Sequence, residues 1–373
     1  MAISIKEVIS RSELGTYIHL PDKIHANHHG WVPPMYSDEW EFYDPEKNRF
    51  FQDCSTILYL AYKDGKPAGR IMGIINHKYN KVQKEECGRF FAFECYQDAE
   101  VASALLQAVE EWLRKQGMKK IIGPFGFSDK DPEGFLIEGF DQPVVIATNY
   151  SMPYMVDLTE GCGYTKEIDC LDYILPVPKV IPDFYTAIYN RTLENNHFRL
   201  KEFDSRRELK KIIRPVFELI NKTYAHIYGF SELTVKEMDY FANRYISVIN
   251  PKFVKVIFDE HNQLIAFALA MPEISEGIRK AHGRLFPFGF YHILKASRTS
   301  RLLTMLLGAI HNSYRNNGLD VVLGIKMLQS AQEENMEFID SHLVLETNTK
   351  MRAEYEKMGG IVKKRFRIFS KTL

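Results

Sequence analysis

Cysteine is scarce in this 373-residue sequence. Cys54, Cys87, Cys95, Cys162 and Cys170 are an odd set of five, all in the first half and without metal-ligand spacing. That excludes a disulfide scaffold and a zinc finger, and predicts reduced thiols in a cytoplasmic protein. Charge of one sign is lacking too: 48 basic residues face 48 acidic ones. A net charge of zero gives no electrostatic reason to expect a nucleic-acid partner or an anionic membrane. No apolar run reaches the roughly 20 residues of a membrane span. Met1–Glu7 has neither the basic start nor the apolar core of a signal peptide. What is there is a globular composition, 45% hydrophobic and 26% charged, with 25 Phe and 20 Tyr for large cores or an apolar substrate groove. The length has room for two domains.

Periodicity sets out the elements. Ile3–Ile9 reads as a strand, and Ser10 or Ser12 can cap a helix through Ile24 that Pro21 interrupts. Asn27–Phe51, rich in aromatics, proline and acid, reads as a structured loop. Thr56–Tyr62 and Pro67–Ile75 form a hairpin about Asp64-Gly65. A strand at Arg89–Cys95 precedes a helix from Ala99 to Gln116, capped by Asp98, with Val101, Leu105, Ala108, Val109 and Leu113 inward. Further strands are expected at Lys120–Pro124, Pro143–Ala147 and Tyr164–Leu175, with a short helix at Met152–Glu160. Pro176–Pro182 holds three prolines in seven residues and is the clearest linker, so the domains are drawn as 1–178 and 179–373. After a helix at Asp183–Leu193, the second half loosely repeats the first. It has a strand at His197–Phe203, helices at Ser205–Ile227 and Thr234–Ile249, and a hairpin at Val254–Met271. Gly277–Ser300, with the aromatic run Leu285–Tyr291, has no counterpart in the first half.

The last seventy residues are the most structured stretch. Leu302–Ile310 reads as a buried strand, Arg315-Asn316-Asn317-Gly318 as a turn, and Leu319–Ala331 as an amphipathic helix. A strand at Met336–Glu346, a helix from Asn348 to Gly359-Gly360 and a strand at Ile361–Phe369 follow. This is an α/β half-domain with one turn aimed at a helix N-terminus.

With both halves in this order, the sequence resembles the GNAT superfamily of acyl-CoA-dependent N-acyltransferases, present as a tandem pair. Each half is then an α/β (α+β) domain with a mixed, mostly antiparallel sheet flanked by helices. The family's Q/R-x-x-G-x-G/A loop holds the CoA pyrophosphate on backbone N–H groups. Here it reads Arg315-Asn316-Asn317-Gly318-Leu319-Asp320, with Asp320 replacing the last small residue. The family's closing N-x-x-A-x-x-L-Y-E-K-x-G-F is matched by Asn348, Met351, Tyr355-Glu356-Lys357 and Gly359-Gly360. The resemblance implies acetyl-CoA or a longer acyl-CoA as donor and a small-molecule or peptide amine as acceptor, without a metal. It makes Tyr355 the acid that protonates the departing thiolate. Leu307, Ala309 and Ile310 on the splayed strand join Arg315–Leu319 and Asn348 as CoA contacts, and this strand would supply the oxyanion's backbone N–H. The corresponding segment of the first half, Cys95–Ala102, has no glycine and two acids, which implies a GNAT-like fold without its own CoA site.

Other residues carry weaker signals. Glu346 or Glu273 can serve as base, and spacing prefers neither. Asn149, Tyr150 and Tyr154 lie where ligands meet open α/β sheets and can line an acceptor pocket or a domain interface. His25, His28 and His29 read as a polar loop rather than a metal site. Gly123–Asp131 is a glycine-rich loop without a P-loop's Lys-Ser/Thr. Lys363–Arg367 reads as a solvated strand face. Two other readings stay open: a non-catalytic GNAT-like protein binding an amphipathic ligand or partner between the domains, and a transferase using charged tRNA, against which the neutral charge argues.

Overall fold

In the computed structural model, residues 2–195, 198–246 and 249–373 are described, residues 195 and 243–245 by their backbone alone. The first half supplies β1 (Ile3–Glu7), β2 (Cys54–Lys63), β3 (Lys66–Asn76), β4 (Cys87–Cys95), β5 (Lys120–Gly123), β6 (Phe135–Glu138) and β7 (Thr165–Pro176). The second supplies β8 (Arg199–Lys201), β9 (Val254–Phe258), β10 (Leu264–Pro272), β11 (Leu302–Ile310), β12 (Phe338–Leu345) and β13 (Ile361–Thr372). All share one sheet, in the order β1-β2-β3-β4-β5-β13-β7-β12-β11-β10-β9-β8, with β6 on β13.

That order contains a strand exchange. In each half a hairpin leads to a parallel pair, β4 with β5 and β11 with β12. The strand that then closes each half belongs to the other: β13 pairs with β5, and β7 pairs with β12. β7 and β13 lie side by side at the seam.

The inward helix faces match the periodicity. Val101, Leu105, Val109 and Leu113 are buried under the first half's sheet, and Leu319, Val322, Leu323 and Leu328 under the second's. Elsewhere the structure corrects the sequence. Pro143–Ala147 is not a strand; Phe135–Glu138 takes that place against β13. The loop expected at 27–51 contains a helix at Tyr36–Phe42. Pro21 does not break the Arg11–Ile24 helix. Proline removes the N–H that would reach the Tyr17 carbonyl, and Arg70 donates to that carbonyl instead, at 3.0 Å. β8 is only Arg199–Lys201. His197, at the start of the expected strand, and residues 247–248, within the expected helix to Ile249, lie outside the described residues.

Lys364 departs furthest from expectation. The charge pattern puts it on a solvated face, yet it is 2% exposed, facing Asp172 and Asp340, both fully buried. Its Nζ lies 2.7 Å from Asp172 and 3.7 Å from Asp340, and donates to the Pro143 carbonyl at 3.1 Å. The cause is topological: exchange puts β13 in mid-sheet, so a lysine on it meets its neighbours' carboxylates instead of water. Burial, then the charge of Asp340, pushes the Asp172 carboxyl well above its ordinary range. A raised carboxyl contributes stability that is fully present below about pH 4 and lost as pH rises through its folded pKa. Breaking a buried ion pair from one side leaves an uncompensated charge. Lys364→Met is expected to lose about 3–5 kcal/mol in urea unfolding, and adding Asp172→Asn to recover part of it. An unchanged midpoint for the single variant contradicts this account.

Candidate active site

The site is built on the point where two parallel strands part. β11 and β12 pair at Leu302–Phe338, Leu303–Ile339 and Thr304–Asp340, and no further. Beyond Asp340, β12 shifts register against β7, with His342 at φ 56 in the bulge. Polar contacts fix the bend: Asp340 accepts from the His342 N–H at 2.8 Å, and Ser341 accepts from the Tyr173 N–H at 2.9 Å and donates to the His342 carbonyl at 2.8 Å. β11 runs on to Ile310 without a strand partner on this side, and the Tyr224 hydroxyl donates to the Gly308 carbonyl at 2.8 Å.

Next to this gap stands the turn into the Leu319–Glu333 helix. Asn316 and Gly318 both adopt positive φ, 65 and 77. A Cβ on Gly318 would meet Thr192 Oγ1 at 2.3 Å, so the position needs glycine for space as well as conformation. Among the described residues, no side chain caps this helix. Asp320 and Val321 of its first turn border a cleft, on the side of the positive end of its dipole. Arg315, Asn316 and Asp320 line that cleft; Asn317 is exposed, and Leu319 is buried beneath.

The first half has the same gap and narrows it at its base, with Phe91–Glu94 beyond it lining the cleft. β4 and β5 pair only from Cys87–Lys120 to Arg89–Ile122. Beyond, Phe125 donates its N–H to the Phe90 carbonyl at 2.9 Å, and the rings of Phe125 and Phe127 are fully buried. Buried Arg89 clamps the loop through the Gly126 and Phe127 carbonyls at 2.9 and 2.8 Å. The following helix carries its own anion: Asp98 accepts from the N–H groups of Glu100 and Val101 at 3.1 and 3.2 Å and pairs with Lys63.

The sequence-derived residues separate into groups. Leu307, Ala309, Ile310, Asn348 and Tyr355 all line the cleft. Asn348 caps the Thr349–Lys357 helix by accepting from the Met351 N–H at 3.3 Å. Tyr355, on that helix, packs against Tyr173 with centroids 5.7 Å apart, and burial raises its phenol above the usual range. Glu346 is engaged elsewhere, accepting from Lys166 at 2.7 Å and from the Asp169 N–H at 3.1 Å. Glu273 accepts from Thr304, Ile146 and Ser275. Asn149 and Tyr150 line the cleft, Asn149 donating to the Gly134 carbonyl at 2.8 Å and Tyr150 to that of Phe140. Tyr154 donates to the Cys95 carbonyl at 2.9 Å and packs in the first half's core, apart from the others. His25 and His28 are joined through their Nδ1 atoms at 2.9 Å, with His25 Nε2 3.3 Å from Glu94.

Sequence reading missed His342. It lines the cleft at the splay, with Nε2 3.1 Å from the Ile146 carbonyl. A ring nitrogen facing a carbonyl must carry the proton, so Nδ1 keeps its lone pair. Burial lowers its pKa, which keeps the ring neutral. Only the bulge identifies it, and a one-residue register shift leaves no mark on apolar periodicity. Two carboxyls on the cleft wall are also perturbed: burial raises Asp131 to about 6 and Glu133 to about 8. The cleft runs across both halves, about 2050 Å³ in volume, with mainly apolar walls that include Leu269, Ile274, Leu306, Leu307 and Leu343.

Two mixed repeats, each with a splayed parallel pair and a helix at its mouth, define a tandem GNAT-like acyltransferase fold. The Acetyltransferase (GNAT) family profile matches residues 25–124, in the first half. The chain is 24% identical over 384 residues to Protein YghO of Escherichia coli (strain K12), covering 99% of this chain and 95% of that one. It is 25% identical over 383 residues to the Bacterial ceramide synthase of Caulobacter vibrioides (strain NA1000 / CB15N), covering 100% and 98%. A tandem GNAT protein from the clavulanic acid biosynthesis pathway superimposes with TM-score 0.55 at 11% identity, covering 100% of this chain and 98% of that one.

The contrast between the helix mouths can be tested on the protein alone. Asp98→Ala is expected to cost about 1–2 kcal/mol in thermal unfolding through loss of the cap. Asp98→Asn, which keeps a cap acceptor, should cost less than half of that; equal losses would mean that the Lys63 pair, not the cap, carries the effect.

Proposed function

We propose that the protein is an acyl-CoA-dependent N-acyltransferase with its donor site in the second half, residues 179–373, and an amine acceptor entering from the first half's side of the cleft. The observation that carries this reading is the contrast between the helix mouths: where β11 and β12 part, no side chain among the described residues caps the Leu319–Glu333 helix, whereas Asp98 caps the helix that follows β4. A pyrophosphate on the N–H groups behind Gly318 places the pantetheine along Leu307–Ile310, within reach of Tyr355.

The chemistry then follows from the residues present. The amine nitrogen attacks the thioester carbonyl, and a backbone N–H of the unpaired β11 edge stabilises the oxyanion. His342 Nδ1 takes the amine proton. Glu346, held by Lys166 and the Asp169 N–H, is poorly placed for that task, and Glu133, raised to about 8, holds its proton at neutral pH. The carbon–sulfur bond breaks, and the buried Tyr355 phenol, which stays protonated, donates to the departing thiolate. Asp340 links the two groups: its charge acts on both Tyr355 and His342. Asn149 and Tyr150 stand on the acceptor side. The long apolar walls favour a fatty acyl chain over acetyl, and a relative named for ceramide, a fatty amide, supports the same choice.

Calorimetry should show palmitoyl-CoA binding more tightly than acetyl-CoA; binding of neither overturns the proposal. Given a working acceptor, His342→Ala is expected to lower kcat by roughly 10²–10⁴-fold and Tyr355→Phe by roughly 10²-fold, each with little change in CoA affinity. The His342 imidazole, titrated by NMR, should lie below the ordinary value of about 6.5; a value above 7 removes it as base. Asp320→Ala is expected to tighten CoA by about 0.3–1 kcal/mol, since a first-turn carboxylate repels pyrophosphate; weaker binding would show that Asp320 contacts the donor favourably.

A further inference from the structure

The aromatic run with no counterpart in the first half forms the most apolar part of the described surface. Phe286 is 79% exposed, Phe288 70%, Tyr291 55%, Phe290 53%, Leu294 47% and Leu285 41%. The backbone holds these side chains out. Phe290 donates its N–H to the Leu285 carbonyl at 2.9 Å, and a Cβ on Gly289 would sit 1.7 Å from the Arg284 carbonyl oxygen, a turn tight enough to turn Phe286 and Phe288 away from the body. Behind it, Ile293 of the Gly289–Thr299 helix packs on Met271, Ile274 and Ile278, so the element is anchored while its outer face stays bare.

The charge around this face is mostly basic, although Glu276 pairs with Arg279 and Lys280, and Glu337 with Arg301. Residues 277–301 contain Arg279, Lys280, Arg284, Lys295, Arg298 and Arg301 and no Asp or Glu, although the whole chain is neutral. Arg284, Lys295 and Arg298 are exposed, and among the described residues no carboxylate lies within ion-pair distance of them. Leu285 and Ile293 also line the cleft, so the patch is its rim. Phenylalanine, tyrosine and leucine in the middle of exposed lysine and arginine are the composition of a surface that lies in a bilayer interface, with apolar groups in the acyl boundary and cations on anionic headgroups.

We propose that this face docks the protein on an anionic phospholipid bilayer, with the cleft mouth at the membrane. The docking goes beyond the acyl-transfer reading and stands without it. Sedimentation of the full chain with vesicles tests it directly. Binding is expected to vesicles containing phosphatidylglycerol, weaker by roughly ten-fold to pure phosphatidylcholine, and weaker again as salt is raised. Phe286→Ser/Phe288→Ser/Phe290→Ser should abolish binding to both, and Lys295→Glu/Arg298→Glu should abolish the preference for phosphatidylglycerol. Both variants should keep the wild-type unfolding midpoint, because the altered side chains are exposed. Wild-type binding retained by either variant overturns the proposal. So does failure to bind vesicles together with a dimer in sedimentation velocity that the phenylalanine variant dissociates, which would assign the face to a second copy. Palmitoyl-CoA binding in calorimetry is read separately, so failure of docking and failure of the enzymatic reading are distinguishable.

Discussion

The buried contact of Lys364 with Asp172 and Asp340 holds together everything the site needs. It spans three adjacent strands, β13, β7 and β12, at the seam where the halves exchange their last strands. Asp340 is also the last β12 residue to pair with β11 and accepts the N–H that bends the chain at His342. One ion cluster therefore ties the halves together, ends the parallel pairing and sets the bulge. Such clusters bring little net stability against apolar packing, but they penalise any register that separates their members. Here the register is what opens the cleft.

The halves show how one fold carries different contents. Each has the parallel pair, the gap beyond it and the helix at its mouth. In the first half two phenylalanine rings narrow the gap at its base, Arg89 clamps that loop, and a capping aspartate accepts from the helix's first N–H groups. In the second half the Tyr224 hydroxyl meets the edge of β11 at Gly308, and among the described residues no side chain caps the helix. On the reading proposed above, a ligand completes this half. The family profile matches residues 25–124, in the first half, and such a match speaks to fold and not to which half holds a site.

Much of the fold was legible in the sequence because it rests on local signals. The Asp64-Gly65 hairpin, the Asp98 cap and the apolar faces of the Ala99–Lys115 and Leu319–Glu333 helices each lie within a few residues of their causes. The exchange of β7 and β13 was not legible, because it is a choice between strands distant in the chain. For the same reason Lys364 read as solvated: its burial depends on which strand lies beside it. Pro21 read as a helix breaker because the Arg70 guanidinium that replaces its missing N–H is 49 residues away. In the candidate site, Arg315–Gly318, Asn348 and Tyr355 were legible as a motif, and Arg315, Asn316, Asn348 and Tyr355 line the cleft. His342 was not, since it is defined by a bulge.

The central claim is that only the second half receives an acyl-CoA. Amide hydrogen exchange of the whole chain, with and without a saturating non-hydrolysable palmitoyl-CoA analogue, tests it most directly. The account predicts protection along residues 307–320 and at the start of the Thr349–Lys357 helix, with the amides of Glu100 and Val101 unchanged. Protection at Glu100 and Val101, or none along 307–320, would contradict it.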